Sequence, residues 1–149
     1  MKSLFDEETY LEIKERLETI SENSEKQWGK MEVAQMFYHC QKPLLVGLQK
    51  EKLAKPNFLF KIASKLIKPM FYNDKVWKHG LPTAKELKVT SSKDFDLEKE
   101  KLAALVKEFH QKKNQEVWEP HPVFGVFTKE QWGKMQYKHL NHHLTQFGV

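Results

Sequence analysis

Two histidines near the end of the chain have the spacing of a metal-binding pair. His139 and His143 are four residues apart, and on an α-helix this spacing places two side chains one above the other, with Cβ atoms roughly 5–6 Å apart. One metal ion, at roughly 2.0–2.1 Å from each nitrogen, can be bound by both rings. Zinc proteases with this spacing carry a glutamate directly after the first histidine. Here that residue is Leu140, so the sequence argues against a metalloprotease.

The residues around this pair predict the helix that must position it. Thr128 and Gln131 form a capping-box pattern, so a helix is expected to begin there. On a helical projection that starts at Trp132, both histidines fall at the centre of the apolar face. The opposite face is polar and is expected to be solvated; it comprises Lys134, Lys138, Asn141 and Thr145. Two buried histidines that only make hydrogen bonds are the alternative, and this pair alone does not decide between the two readings.

A second segment of the chain resembles this one. Residues 24–39 (SEKQWGKMEVAQMFYH) align without a gap with residues 128–143 (TKEQWGKMQYKHLNHH), and the block QWGKM is identical. We interpret the similarity as an approximate two-fold repeat, with a coincidental identity or a shared helix-start pattern as the alternatives. A two-fold axis between the two helices would bring their similar faces together.

The repeat supplies a third histidine. His39 lies 11 residues after its tryptophan, as His143 does after its own. Gln35 occupies the place of His139 and is expected to be a polar neighbour of the site. Because helical bundles commonly build sites from inward side chains on facing helices, the three histidines are expected to converge even without a true repeat.

Three neutral imidazoles suggest a catalytic metal site. They leave one or more coordination positions for water or a substrate, as catalytic sites do. Zn²⁺, Ni²⁺ and Fe²⁺ all suit imidazole, and the residues favour Zn²⁺ or Ni²⁺ only weakly. His142, at the margin of the apolar face, is a candidate to orient a ligand or carry a proton, and His121 is a weaker candidate at the mouth of the site. Cys40 is expected to be a small buried apolar residue.

The composition limits the remaining possibilities. At 149 residues the chain is expected to be one domain, residues 1–149. The net charge of +5 comes from 25 basic residues that are spread along the chain, and only Arg16 is an arginine, so no nucleic-acid partner is expected. No apolar run approaches the roughly 20 residues that span a bilayer. A single cysteine and the lack of a signal peptide predict a cytoplasmic protein.

Apolar periodicity predicts an all-α fold with four long helices, one extra short helix and two long loops. The long helices are expected to begin at Asp6, between Ser24 and Met31, at Asp94 or Asp96, and at Thr128. The short helix is expected after Pro56, and its basic amphipathic character is read as a cover for one end of the bundle rather than as a membrane contact. The loops are residues 69–93 and 116–127.

The combined motifs resemble the DinB/YfiT-like superfamily of metalloenzymes. The resemblance rests on Trp28, Met31, Met36 and His39, on the pair His139-x3-His143, and on the strings WGKM, HPVFG and KHLNHHLTQFG, which are similar to one branch of unknown function. It covers nearly the whole chain. The resemblance implies a four-helix bundle with up-down-down-up topology and a metal site formed by His39, His139 and His143.

The same resemblance implies an activity. Better-known relatives are transferases and isomerases that use low-molecular-weight thiols, so a metal-dependent enzyme is expected, either a thiol-dependent S-transferase acting on small electrophilic substrates or a related lyase or hydrolase. A homodimer is expected by analogy. Relatives often carry Arg-Gly-Gln after the last histidine, whereas this chain has Leu144-Thr145-Gln146. Gln146 is retained and is expected to support the metal ligands. The alternative is a metal-binding or scaffold bundle without catalysis.

Overall fold

Helices form the regular structure of the residues that the computed structural model describes, which are 1–54, 58–81 and 87–149. The described parts contain five α-helices and no strand, which confirms the all-α prediction. The helices are α1 (Glu7–Thr19), α2 (Val33–Gly47), α3 (Phe58–Ile67), α4 (Phe95–Gln111) and α5 (Lys129–Gln146). Short 3-10 turns follow α3, at Lys68–Phe71, and α4, at Lys112–Asn114.

The four longest helices contact one another in a closed order. Helix α2 packs against α4 and α5, and α1 packs against the same two helices. Large apolar side chains fill the space between them because each helix turns one apolar stripe inward. The largest fully buried ones include Trp132, Phe37, Phe109, Ile13 and Leu102. The contact between α2 and α5 is the one that brings the predicted metal ligands together.

Helix α5 begins as the sequence predicts. The Thr128 hydroxyl accepts a hydrogen bond from the backbone N–H of Gln131 at 3.2 Å, and the Gln131 side-chain oxygen accepts one from the backbone N–H of Thr128 at 3.1 Å. Trp132 is fully buried. The polar face differs from the prediction at one position, because Lys138 is only 7% exposed.

Helix α2 begins later than predicted. Its first residue is Val33, and Glu32 forms the capping box. The segment around Trp28 is not helical, so the start expected between Ser24 and Met31 is wrong. Pro43 lies inside α2, and the helix continues past it to Gly47.

The identical QWGKM blocks therefore adopt two different structures. Gly29 has φ +82°, in the left-handed region that favours glycine, whereas Gly133 lies within α5 with its Cα against Ser3 and Phe5. The expected two-fold repeat is wrong over its first half. Each glycine is needed for a separate reason, so the shared string does not indicate shared geometry.

The rest of the chain follows the prediction more closely. Asp94 caps α4 by accepting a hydrogen bond from the Leu97 N–H at 2.8 Å, and α3 is the extra short helix. Pro56, which was expected to open it, lies outside the described residues. Within the described segments, no helix combines the length and the apolar character that crossing a bilayer requires.

Candidate metal centre

Three buried imidazole rings meet between α2 and α5. His39 comes from the middle of α2, and His139 and His143 lie one turn apart on α5. Their exposed fractions are 5%, 8% and 8%. The His39 Nε2 and His139 Nε2 atoms are 3.1 Å apart, and one ring nitrogen from each residue lies within 4.8 Å of the others. The structure thus brings the three predicted ligands together, close enough that they could hold one metal ion.

A backbone carbonyl orients His39. The Nδ1 atom lies 2.9 Å from the Leu87 carbonyl oxygen. Because a carbonyl oxygen only accepts hydrogen bonds, Nδ1 carries the proton and the lone pair is on Nε2. That lone pair points towards the other two histidines. Leu87 belongs to the connection between α3 and α4, and the sequence carries no signal for this contact because it uses main-chain atoms.

A glutamine orients His143 in the same way. The Gln146 Oε1 atom is 2.9 Å from His143 Nδ1, and the Gln146 Nε2 atom donates to the Trp28 carbonyl at 2.7 Å. The second contact fixes which amide atom faces the ring, so Nδ1 donates and Nε2 of His143 is left with its lone pair. This is the supporting role that the sequence assigned to Gln146. Gly29 makes it feasible, since a Cβ at this position would meet the Gln146 Nε2 atom.

The third ring, His139, has no partner for one nitrogen. Its Nδ1 atom is buried and makes no hydrogen bond. If Nε2 carries the proton and donates to His39, Nδ1 is a buried acceptor without a donor. If Nδ1 carries the proton, it is a buried donor without an acceptor, and two lone pairs face each other across 3.1 Å. A cation between the Nε2 atoms would relieve that repulsion.

The spacing fits a transition-metal ion for two of the rings. Two nitrogens bound at roughly 2.0–2.1 Å to one ion lie about 2.9–3.4 Å apart for octahedral to tetrahedral angles, and the 3.1 Å between His39 and His139 falls in that range. The largest separation in the set, up to 4.8 Å, is wider. Bringing that separation into the same range requires a movement of about 1.4–1.9 Å.

Burial keeps all three rings neutral. Desolvation lowers the pKa of His39, an effect partly opposed by the hydrogen bond to Leu87. Desolvation also lowers the pKa of His143 to about 3, and together with the neighbouring imidazoles it lowers the pKa of His139 well below its usual value. The neutral ring is the form that binds a metal, so the site is ready for an ion at neutral pH without having to lose protons.

A cleft of about 320 Å³ lies beside the three rings. Its inner wall includes Trp77 and His142. The Trp77 ring centroid is 6.1 Å from that of His139, and the His142 centroid is 5.1 Å from that of His143. Trp28 forms part of another wall, with the exposed His79 stacked on it at 3.8 Å. Two rings that line the cleft, those of Trp77 and His142, thus lie next to two of the three histidines.

Lys138 holds this wall in place. Its ammonium group donates to the Met70 and Asn73 carbonyls at 2.6 and 2.8 Å and to the Asn73 side-chain oxygen at 2.7 Å. Trp77 Nε1 donates to the same Met70 carbonyl at 2.8 Å. Burial lowers the pKa of Lys138. The helical projection had placed Lys138 in solvent because a projection cannot show that a loop returns to cover this face.

Neither Gln35 nor Cys40 contacts the histidine cluster through a hydrogen bond. The Gln35 side chain completes the α2 capping box with the Glu32 N–H at 2.9 Å and donates to the Ser91 carbonyl at 3.2 Å, so the structure does not bring it to the histidines. Cys40 is buried, as expected, and its Sγ atom lies 3.6 Å from Met36 Sδ. Burial raises the pKa of its thiol, which disfavours the reactive thiolate.

His142 and His121 have different surroundings. His142 is half-buried between Trp28 and Trp77, with centroid distances of 5.8 and 5.6 Å, and burial lowers its pKa. It therefore lies where a group that meets a bound molecule would lie. His121 instead packs on Trp132, with centroids 5.6 Å apart, two turns of α5 or about 10 Å before His139.

The His121 ring stabilises a turn. Its Nδ1 atom accepts hydrogen bonds from the backbone N–H groups of Val123 and Phe124 at 3.1 and 3.3 Å, and its main chain pairs with Gly125. Burial lowers the pKa of His121 to about 4. The prediction that His121 reaches the mouth of the site is not supported by this placement.

The chain was compared with known families and proteins. Residues 5–148 match the model of a family described as "Protein of unknown function (DUF1569)". No curated protein and no solved structure matches the chain. The family match therefore covers almost the entire sequence, but the family description assigns no activity to the histidine cluster.

Replacing Gly29 by alanine tests the support of His143. The Gly29→Ala variant forces a side chain into the left-handed region, which costs about 1–2 kcal/mol of unfolding free energy, and displaces the Gln146 amide. The Gly125→Ala variant is the matched control, since Gly125 has φ +72° with open space around its Cα. Urea unfolding should show similar losses, whereas titration with Co²⁺ should show about tenfold weaker binding for Gly29→Ala alone. Equal Co²⁺ affinities would contradict the role of this contact.

The structural role of His121 predicts a pH dependence of stability. Because its folded-state pKa, about 4, lies below the unfolded value of 6.5, the unfolded chain binds more protons between these values. The stability that His121 contributes is complete above pH 6.5 and is lost as the pH falls towards 4. In chelator-treated protein, the unfolding free energy of His121→Asn should fall less steeply than that of the wild type, by up to about 1.4 kcal/mol per pH unit. Identical slopes in urea titrations would show that His121 does not have this role.

Proposed function

The chain belongs to the DUF1569 family, and we propose that it is a metal-dependent enzyme whose divalent transition-metal ion is held by His39, His139 and His143. The observation that carries the proposal is the set of three neutral, buried rings, of which two already have their Nε2 lone pairs directed inward by hydrogen bonds at Nδ1. Three protein ligands leave room for a molecule at the metal, as in catalytic sites.

An ion held by these three histidines would supply Lewis acidity towards a substrate oxygen, a water or a thiol. The protein residues supply the remaining functions. Leu87 and Gln146 keep the ligand rings in the orientation and tautomer that bind metal. The low exposure of the three histidines keeps bulk water from the reacting atoms, which strengthens electrostatic interactions there. Imidazole ligands without a carboxylate favour Zn²⁺ or Ni²⁺, with Fe²⁺ as a third choice.

The substrate in this proposal is a small molecule that approaches from the cleft. The cleft is lined by the aromatic rings of Trp28 and Trp77, and its lining residues Trp77 and His142 lie next to His139 and His143. Of these two lining residues, His142 is the one that can donate or accept a proton, and it makes no hydrogen bond within the described part of the chain. Transfer to or from a thiol such as a low-molecular-weight cofactor is the reaction class that the motif resemblance favours.

The same resemblance supports a proposed architecture. We propose that α1, α2, α4 and α5 form the up-down-down-up bundle of the DinB/YfiT-like superfamily, because these four helices contact one another in a closed order and α2 and α5 carry the histidines at the positions that the motif requires. A homodimer and a cytoplasmic location remain predictions from the sequence, as does the lack of a nucleic-acid partner.

One observation favours a second candidate. The 3.1 Å between His39 Nε2 and His139 Nε2 is also the length of an ordinary hydrogen bond. In that reading the three histidines are a polar cluster in a scaffold protein without a metal. In this structure the Nδ1 atom of His139 is unpaired in either arrangement. The metal-bound arrangement is preferred because the one proton of His139 cannot pair the lone pairs of both His39 and His143, whereas an ion accepts both.

Metal analysis of protein purified without a histidine tag separates the two candidates. We expect about one equivalent of transition metal, and at 100 times the dissociation constant a gain of about 2.7 kcal/mol in stability, seen as a rise of roughly 5–10 °C in Tm. His139→Ala and His143→Ala should bind at least about 100-fold more weakly, more than is typical for the loss of an orienting partner. His79→Ala, a change of an exposed histidine, is the control. A chain with no metal and an unchanged Tm in the presence of Zn²⁺ supports the scaffold.

Two hydroxamates test the approach from the cleft. Acetohydroxamate and benzohydroxamate share a metal-chelating head, but only the second has an aromatic ring that can contact Trp28 or Trp77. Followed by the visible spectrum of the Co²⁺-loaded protein, benzohydroxamate should bind about tenfold more tightly. Trp77→Leu should remove this difference and leave acetohydroxamate binding unchanged. Equal affinities of both compounds for the wild type would place the approach elsewhere.

A further inference from the structure

Two unpaired polar side-chain atoms belong to residues three apart on the buried side of α5. Among the described residues, the buried side-chain atoms without a hydrogen-bond partner are Gln136 Oε1, His139 Nδ1 and Trp132 Nε1. Buried polar groups are nearly always paired, so each of these atoms calls for an explanation. The first is an acceptor and the third is a donor, whereas the second can be either, according to the tautomer.

The position of Gln136 relative to His139 is favourable for a contact. The two residues are three apart on one helix, so their side chains are neighbours on its surface. Gln136 is fully buried. Its Nε2 atom donates to the Pro43 carbonyl at 2.9 Å, which identifies Oε1 as the free atom of the amide. An anchored amide thus keeps an unused acceptor beside a ligand ring that lacks a partner.

The neighbouring ligand shows the completed form of this arrangement. Gln146 is three residues from His143, its Nε2 atom is anchored on the Trp28 carbonyl, and its Oε1 atom is bonded to Nδ1 of the histidine. Gln136 likewise has an anchored amide, with the Pro43 carbonyl as the anchor, but it lies three residues before its histidine rather than three after it, and its bond to Nδ1 is not made. Metal-binding histidines almost always donate their other N–H to such an acceptor.

We propose that Gln136 is the positioning residue of His139. This inference rests on the proposed metal site: when His139 binds an ion through Nε2, its Nδ1 must carry the proton, and that N–H donates to Gln136 Oε1 either directly or through one buried water. Both unpaired atoms are satisfied at once, so binding the ion also removes a defect of the metal-free core.

The competing donor is Trp132, four residues before Gln136 and also its neighbour on the helix. If Gln136 Oε1 serves the Trp132 N–H, the glutamine supports the core and has no effect on the metal. The two roles can be separated by substitution, because Trp132→Phe removes the indole N–H and retains an aromatic ring.

Zn²⁺ affinity, measured by competition with a chromophoric chelator, tests the proposal. Gln136→Leu should weaken binding by about 10–100-fold, as should Gln146→Leu, the reference variant. Gln136→Glu keeps an acceptor for His139 but loses the donor to Pro43, so its affinity should stay within about threefold of the wild type. Trp132→Phe should also stay within about threefold. Equal losses in Gln136→Leu and Gln136→Glu, or wild-type affinity in Gln136→Leu, would overturn the proposal.

A structure of the Zn²⁺-loaded wild type gives a second readout that does not depend on the folding of any variant. The proposal requires Gln136 Oε1 within about 3.2 Å of His139 Nδ1, or both atoms within that distance of one water; a longer separation without a bridging water overturns it. If the wild type binds no Zn²⁺, the proposed function fails and this inference fails with it. If the wild type binds Zn²⁺ and Gln136→Leu binds equally well, only the inference fails.

Discussion

The three buried imidazole rings cannot satisfy one another's hydrogen-bonding groups. His39 and His143 each use Nδ1 to donate to an oxygen outside the cluster, so both direct a lone pair inward. His139 can supply one proton at most. The cluster therefore has more acceptors than donors, in surroundings where desolvation opposes protonation of any ring. A cation could be held at such a site, because it accepts electron pairs without bringing a proton.

This excess of acceptors depends on parts of the chain that are far apart in sequence. Leu87 comes from the connection before α4, Trp28 from the segment before α2, and Gln146 from the end of α5. Each acts through a main-chain carbonyl or an anchored amide, groups that are held by the fold and do not titrate. The tautomers of His39 and His143 are consequently set by the packing of distant parts of the chain. This explains why a loop and a non-helical segment matter as much as the two helices that carry the histidines.

The sequence predicted the parts of this arrangement that depend on local periodicity. The start of α5 at Thr128 and the inward direction of His139 and His143 follow from a capping box and a 3.6-residue period, which act within one helix. The identical block QWGKM did not predict identical structure, because its glycine tolerates both a helix and a positive φ. The conformations of Gly29 and Gly133 are set by different neighbouring residues.

The residues that the sequence could not place are those whose role depends on returning loops. Lys138 looks solvated on a helical projection. Its ammonium group nevertheless donates to the main-chain carbonyls of Met70 and Asn73 and to the Asn73 side-chain oxygen. Gln35 aligns with His139 in the sequence, but α2 begins at Val33, so the Gln35 side chain instead forms part of the capping box with Glu32. Gln136 gave no signal in the sequence, since a polar residue near a ligand becomes informative only when its buried, unpaired oxygen is seen.

Without a metal ion, the arrangement of the three histidines lowers the stability of the core. Each buried polar atom without a partner costs about 1–3 kcal/mol, which is a sizeable part of the 5–15 kcal/mol that stabilises a typical domain. An apolar residue at position 139 would avoid the unpaired Nδ1 atom. Retaining three neutral histidines with two of them locked by outside acceptors is thus a poor solution for stability alone. The proposed metal site explains it, because an ion would use the inward lone pairs and the Nδ1 atom of His139 would then donate to Gln136.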